Sequence, residues 1–260
     1  MIISLFYCNF EKNKSTLNMN IKRILSTLLL LLSILSFSSC IGDKGNVLES
    51  YDIGTIIDNN SQPIIKSDNI YISLTGSSLE LPNADEIKRC LFTFTLDWDN
   101  QPEGAYESGI YSADISIQES WNALLTETIA NKPFAESDSI NNISEPYLTT
   151  IGDNTIITFE SSYEVADETS VQLITGNINE TEKIITLDYI YYTGYTPNIT
   201  TTKRGWQSYI LPKLDENYTL IFRFKSLTTP SFKIENYKSP DGDKNKNCYL
   251  YTLQYKAVNK

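Results

Sequence analysis

The 260-residue sequence contains no histidine, and this absence limits the reactions that the other side chains could support. Ser-His-Asp and Cys-His nucleophile systems need an imidazole as general base, and catalytic zinc sites commonly use histidine ligands. Chemistry by paired carboxylates, by lysine or by tyrosine remains open, and the chain holds 32 Asp and Glu residues. With so many acidic residues, the sequence alone cannot reveal a pair at glycosidase spacing. We therefore predict neither a catalytic constellation nor a bound cofactor.

The thiol of Cys40 is the one group whose surroundings in the sequence predict a defined reaction. Lys22 and Arg23 precede an apolar run from Ile24 to Leu35, and two small serines stand directly before Cys40. A basic segment followed by about 7–15 apolar residues is typical of a secretory signal, and the run is shorter than the ~20 residues of a membrane-spanning helix. The order is similar to a bacterial lipoprotein signal. That similarity implies a diacylglycerol thioether on Cys40, cleavage before it and acylation of the new amine.

The alternative is an ordinary signal peptide with an incidental cysteine. Residues 1–39 are assigned to a leader and the lipoprotein signal peptide. Met19 is the better start, so 1–18 are interpreted as a start-site artefact or as a disordered leader. A lipid at Cys40 would anchor the protein to a membrane, since two or more acyl chains hold firmly at ~0.8 kcal/mol per buried methylene.

The net charge argues against nucleic acid as a partner, and the cysteine content leaves open whether a disulfide forms. The net charge of −11 repels phosphate backbones, so nucleic acid is not an expected partner. Cys90 and Cys248 could form a disulfide in an oxidising compartment. They are far apart in the sequence, and two buried free thiols are the favoured interpretation.

After a polar tether at 40–50 come short segments in which apolar and polar residues alternate. Leu91–Trp98 is the clearest, because its aromatic and leucine side chains fall on one face and its threonines on the other. Similar segments occur at Ile53–Ile57, Ile64–Leu74 and Tyr111–Ile117. Several short strands separated by turn residues predict a small closed or half-closed β-barrel at 51–118.

Residues 119–145 interrupt this pattern. Trp121, Leu124, Leu125 and Ile129 recur at helical spacing, and Ser120 is a suitable N-cap. We predict a short helix and an exposed linker between two domains, with a long loop inside one domain as the alternative.

The second half returns to short strands and is predicted to be an antiparallel β-sandwich at 146–260. The fold class is therefore all-β. The predicted strands are Asn154–Tyr163, Ser170–Thr175, Lys183–Tyr192, Asn217–Lys225 and Lys246–Lys256.

Three further segments carry candidate sites, each with a simpler alternative. Asp241–Asn247 resembles the first half of a calcium loop, but it lacks the closing glutamate and reads better as a hairpin turn. Asp138-Ser139-Ile140 resembles an O-glycosylation sequon, with Ser139 as the acceptor. Tyr189, Tyr191, Tyr192 and Tyr195 could form an aromatic platform for a glycan or peptide, although packing within the sheet is the favoured role.

The order of these parts resembles the NigD-like lipoproteins of Bacteroidetes. The likeness lies in Tyr51–Ile56, Lys88–Phe94 and Tyr111–Ile117 of the first domain, and in Asp188–Tyr192 and Tyr218–Lys225 of the second. The resemblance implies an N-terminal OB-like β-barrel and a C-terminal β-sandwich. It also implies association with a bacteriocin locus, and it brings no catalytic residues to this chain.

These observations predict a lipid-anchored protein of the bacterial cell envelope that binds or scaffolds a protein or glycan ligand and is not an enzyme. Only Asp43 closely follows Cys40, whereas surface-exported lipoproteins of Bacteroidetes usually carry a denser acidic run there, so the periplasmic face of the outer membrane is favoured. The alternatives are a hydrolase of envelope glycans that uses two carboxylates about 5–10 Å apart, and an immunity-like protein associated with a bacteriocin.

Overall fold

The computed structural model describes residues 46–83, 86–128, 134–166, 169–193, 201–236 and 247–257. Glu49–Leu96 and Gln101–Lys260 form one unit, which holds most of the described residues. The described part of the other unit comprises 46–48 and Asp97–Asn100, where the Trp98 amide donates to the Asn46 carbonyl at 2.9 Å. The described residues contain no helix long and apolar enough to cross a membrane. They are nearly all β-structure, so the all-β class is confirmed.

The first six strands form one sheet, the barrel sheet, in the order β5-β3-β2-β1-β4-β6. Strands β5 and β6 are halves of one extended segment that is interrupted only at Ala113. The first half runs parallel to β3 and the second runs antiparallel to β4. The two end strands of the sheet order, β5 and β6, therefore belong to one continuous segment. This arrangement is expected for a small five-stranded barrel of the OB type. The strands are β1 (Val47–Asn59), β2 (Gln62–Ser67), β3 (Ser73–Thr75), β4 (Lys88–Asp97), β5 (Ile110–Ser112) and β6 (Asp114–Asn122).

The interior of the barrel sheet requires close contact between β1 and β2. A Cβ added at Gly54 would lie 2.6 Å from both the Ile65 side chain and the Lys66 carbonyl, so only glycine fits there. Apolar side chains from two further strands, β3 and β4, have no exposed surface, as the alternation in the sequence predicts. They include Leu74, Phe92 and Leu96.

The remaining strands form two sheets that face each other. The inner sheet has the order β7-β13-β10-β8, with β9 also paired to β10, and the outer sheet has the order β11-β12-β14-β16-β15. The strands are β7 (Leu124–Leu125), β8 (Asn142–Ile143), β9 (Tyr147–Ile151), β10 (Asn154–Val165), β11 (Ser170–Asn179), β12 (Ile184–Tyr192), β13 (Thr201–Ile210), β14 (Tyr218–Lys225), β15 (Glu235–Asn236) and β16 (Cys248–Tyr255).

Aromatic rings fill the space between these two sheets. The ring of Phe159 in β10 lies 5.0 Å from that of Tyr189 in β12 and 5.1 Å from that of Phe222 in β14. All three side chains are almost completely buried. Contacts of this geometry stabilise by ~0.5–1.5 kcal/mol beyond area burial.

The pairing within the sandwich is not purely antiparallel. Strands β12 and β14 run parallel. Between them the chain passes through β13 in the opposite sheet and then returns, and such a crossover brings a strand back in the same direction. The predicted sandwich is thus present with a parallel pair inside the outer sheet.

The helix predicted after Ser120 is wrong. Residues up to Asn122 continue β6, in which Trp121 pairs with Arg89 of β4, and β7 follows after Ala123. Two short strands with a break between them produce a spacing like that of a helix. The leucines of β7 are 54% and 73% exposed, so they do not form a buried helical face. In the described residues, the α-helical conformation is limited to α1 (Ala105–Ser108), and Phe134–Glu136 is a 3₁₀ turn.

The exposed linker and the tether also need correction. Ile140 and Ile143 are buried, and β7 and β8 from this segment are strands of the inner sheet. The last residues of the proposed tether, 47–50, belong to β1. Most segments that sequence alternation indicated are strands, with small differences in their ends. Ile64–Leu74 is an exception, because it is divided into β2 and β3, which pair antiparallel across the turn at 68–72.

Candidate functional site

A cleft of about 750 Å³ opens along the side of the sandwich, where β13 of the inner sheet faces β11 of the outer sheet. We call it the seam cleft. Barrel strand β6 supplies Glu119 and Trp121, β13 supplies Lys203 and Trp206, and β11 supplies Val171. Its volume falls in the range of roughly 300–1,000 Å³ typical of ligand sites.

Two tryptophans from different sheets form one wall of the seam cleft. The rings of Trp121 and Trp206 stack with centroids 6.4 Å apart and planes at 14°. The Trp121 indole N–H donates to the Ser208 hydroxyl at 3.0 Å, which fixes the orientation of the ring. Both side chains are only partly buried, so apolar ring surface remains available to a ligand.

A buried polar network lies behind this wall and joins the barrel sheet to the inner sheet. The hydroxyls of Ser208 and Thr158 are 2.9 Å apart, and Thr158 accepts from the Arg89 guanidinium at 3.3 Å. Arg89 forms a two-pronged ion pair with Asp68, whose carboxylate also accepts from the Tyr147 hydroxyl at 3.0 Å. Burial, followed by the Asp68 charge, raises the pKa of Tyr147. The position of the wall therefore depends on contacts between the barrel and the sandwich.

Tyr163, Gln207 and Tyr209 form the floor of the seam cleft, and the side-chain polar atoms of Gln207 and Tyr209 already have partners. The Gln207 side-chain oxygen accepts from the hydroxyls of Tyr189 and Tyr209 at 3.0 and 2.9 Å, and its amide donates to Ser161 at 2.8 Å. Burial raises the pKa of Tyr163, Tyr189 and Tyr209. All three are neutral at physiological pH. Tyr163 and Tyr209 line the cleft and offer ring edges without acid–base chemistry, whereas Tyr189 is buried in the sandwich core.

Two charged side chains line the seam cleft without an ion-pair partner among the described residues, Glu119 and Lys203. Glu119 is the one carboxylate among the described residues that line the cleft. Glycoside hydrolysis of the usual kind needs a second carboxylate close by. The cleft therefore gives no support to the hydrolase alternative. The described residues also contain no cluster of acidic or cysteine side chains that could hold a metal ion.

The structure places the sequence-predicted sites elsewhere or does not describe them. Cys40 lies outside the described residues, as do 241–246 of the proposed calcium-like loop. Cys90 and Cys248 are buried free thiols, which confirms the favoured interpretation over a disulfide.

Ser139 does not lie in an exposed linker. It is half-buried between Asp138, whose carboxylate accepts from the amide and hydroxyl of Thr193 at 2.9 and 3.1 Å, and Ile140, which is 1% exposed. The linker interpretation is wrong here, because backbone bonds tie this segment to the outer sheet. Glycosylation of Ser139 stays a prediction.

The tyrosine platform is not formed by Tyr189 and Tyr191, which are 1% and 3% exposed and belong to the sandwich core. The favoured packing role is the one observed for them, and Tyr195 lies outside the described residues. The seam cleft uses tryptophans that the sequence interpretation missed. Trp121 was assigned to a helix, and β13 with Trp206 was not predicted as a strand. Residues 201–210 show no regular alternation of apolar and polar residues, so the sequence carries no clear strand signal there.

Comparisons with known proteins identify similar solved structures. No family model matches the chain, and no curated protein matches it. The chain is similar to a putative toxin-related protein from Parabacteroides distasonis at 14% identity, covering 81% of this chain and 94% of that one with a TM-score of 0.46. It is also similar to an uncharacterised protein from Parabacteroides merdae at 14% identity, covering 82% and 100% with a TM-score of 0.47.

A third similar structure is described as a NigD-like immunity protein from Bacteroides caccae. It is 9% identical, the match covers 82% of this chain and 99% of that one, and the TM-score is 0.41. Its description carries the same family name, NigD-like, as the resemblance stated from the sequence.

Proposed function

We propose that this protein is a non-enzymatic binding module of the bacterial cell envelope, anchored by lipid at Cys40, and that its ligand occupies the seam cleft. The observation that carries this proposal is the seam cleft itself. Its wall is a stacked tryptophan pair, and its floor is formed by the neutral side chains of Tyr163, Gln207 and Tyr209. Tryptophan is among the residues that contribute most to binding at interfaces.

The binding proposal is tested with the purified chain on arrays of glycans and of peptides. Trp206→Ala removes half of the tryptophan stack, and Lys203→Ala removes an exposed charge at the same cleft without touching packed residues. We expect Trp206→Ala to weaken the binding of any ligand found on the arrays at least tenfold, and Lys203→Ala to weaken it measurably.

Tyr51→Ala is the matched control, because Tyr51 is 74% exposed on β1 and does not line the seam cleft. It should leave binding unchanged. Thermal unfolding of each variant separates loss of binding from loss of folding. Ligand binding that survives both cleft substitutions would place the site elsewhere and refute the proposal.

The anchor is tested separately in cells. We expect labelled palmitate to enter the protein and not its Cys40→Ala variant, because the cysteine thiol carries the first lipid. Protease treatment of intact cells then distinguishes the periplasmic face of the outer membrane, which we propose, from the cell surface. Equal labelling of both proteins, or none in either, would refute the anchor. The immunity-like role stays a prediction from the sequence resemblance.

A further inference from the structure

The backbone of β13 presents hydrogen-bonding groups toward the seam cleft. The Thr126 amide donates to the Ile210 carbonyl at 3.1 Å, so Ile210 directs its backbone groups toward β7 and away from β10. Because alternate residues of a strand point their N–H and C=O groups the same way, Ser208, Trp206 and Arg204 do so as well. The strand therefore has one side satisfied by β10 and one side directed outward.

The outward side is covered over only part of its length. Strand β7 pairs with Tyr209 and Ile210, while β10 pairs with the whole of β13 on the other side. In the parts of the chain that the structure describes, no strand pairs with residues 201–208 on the outward side. Such an edge is a template for another extended chain. The seam cleft lies along this edge.

The chain itself shows what fits in the seam. The extended segment Leu124–Glu127 pairs with β13 through Leu124 and Leu125, and Glu127 then bridges to β11. The Glu127 amide donates to the Leu173 carbonyl at 3.0 Å, and its carbonyl accepts from the Thr175 amide at 2.7 Å. One extended strand can therefore bond to both sheets. The seam cleft is the continuation of this occupied part of the seam.

We propose that the seam cleft binds an extended peptide segment of a partner protein, which adds as a strand to the free edge of β13 beyond β7. This inference rests on the proposed function and names its ligand class. A peptide of about six to eight residues would span residues 202–208, roughly 20 Å at ~3.3 Å per residue. Main-chain bonds would supply affinity, and pockets for alternate side chains would supply selectivity.

The side chains around the edge define the chemistry of the peptide. One set of alternate residues would meet the rings of Trp121 and Trp206, and the other would enter the seam beside Val165 and Val171. Both positions favour apolar or aromatic side chains. Lys203 at the open end lacks an ion-pair partner among the described residues, and it favours an acidic residue or a chain-terminal carboxylate there.

The test selects binders to the full chain from a displayed library of random octapeptides and compares two substitutions at one position. Arg204→Pro removes a backbone amide that points outward from β13. An edge strand tolerates proline at such a position, because the hydrogen bonds to β10 come from the neighbouring residues. Arg204→Ala is the control, because it loses the ion pair with Glu160 and keeps the amide. We expect Arg204→Pro to weaken the selected peptide at least tenfold and Arg204→Ala by less than twofold.

A second measurement leaves the protein unchanged, so it does not depend on how Arg204→Pro folds. Methylation of backbone nitrogens along the peptide should abolish binding at alternate positions only. If no octapeptide binds while a glycan binds in a manner sensitive to Trp206→Ala, the proposed function stands and the peptide strand is refuted. If peptide affinity is unchanged by Arg204→Pro and by methylation of the peptide amides, strand addition is refuted. If the protein forms a dimer and Arg204→Pro dissociates it, a second copy of the chain occupies the edge of β13. That result refutes binding of a partner peptide there.

Discussion

Replacing the buried arginine of β4 should destabilise the protein strongly, because it leaves a carboxylate alone in the interior. The Arg89 side chain has no exposed surface and that of Asp68 is 1% exposed. Arg89 also donates to the hydroxyls of Thr55 and Thr158. In Arg89→Met the methionine fills much of the volume, but among the described residues Asp68 keeps only the Tyr147 hydroxyl as a close side-chain donor.

Breaking a buried pair by removing one partner costs about 3–5 kcal/mol in the free energy of unfolding. For a chain of this size, ~1 kcal/mol corresponds to roughly 2–4 °C in Tm, so Arg89→Met should lower Tm by roughly 6–20 °C. The double variant Arg89→Met/Asp68→Leu should recover most of this loss, since replacing the whole pair by apolar groups is often neutral or stabilising. The expected signature is a destabilised single variant and a rescued double variant.

The measurement is urea unfolding followed by circular dichroism, together with thermal unfolding at pH 7. Arg204→Met is the matched control, because its ion pair with Glu160 lies at the surface and the Arg204 side chain is 72% exposed. Exposed pairs contribute little, so its Tm should not change measurably. The reasoning is refuted if Arg89→Met loses less than about 1 kcal/mol, or if the double variant is less stable than the single one.

Three further predictions concern packing, tyrosine ionisation and thiol reactivity. Gly54→Ala should cost ~1–3 kcal/mol by overpacking, whereas Gly205→Ala, whose Cβ would meet one oxygen at 3.4 Å, should show no comparable loss in urea unfolding. Burial raises the pKa of Tyr191 to about 12, above its value in the unfolded chain. The stability linked to its neutral form is therefore intact below pH 10 and lost as pH rises towards 12. A free energy of unfolding that does not change across this interval would contradict the prediction. Burial raises the pKa of Cys90 to about 12 and of Cys248 to about 11, so in a variant lacking the other cysteines both should react with a thiol reagent only after unfolding. Fast labelling of the native protein would show that they are accessible.

The strands of the core could be predicted from the sequence because burial on one face repeats every second residue. Phe92, Phe94 and Leu96 alternate with threonines, and all three are buried. Tyr218–Lys225 shows the same pattern. Such alternation is a local pattern in the sequence. It matches the folded structure because each of these strands packs one face against a core.

The seam cleft could not be predicted, because its parts depend on partners far away in the sequence. Arg89 is buried because Asp68 and Thr158 meet it there, 21 and 69 residues away along the chain. Trp121 and Leu124 have helical spacing only because two short strands follow each other with a break. The polar start of β13 hides a strand, since its outward edge faces the seam cleft and not a core.

This dependence makes stability and binding separable by experiment. The Trp121 ring is held by Ser208, which contacts Thr158, which accepts from Arg89. A variant that loses Arg89 and still folds, such as the rescued double variant with Asp68→Leu, should therefore bind the selected octapeptide more weakly than the native protein. Titration of the labelled peptide by fluorescence anisotropy measures this change at a temperature where both proteins are folded. Equal affinity would show that the wall of the seam cleft is positioned by β13 alone, without help from the buried network between barrel and sandwich.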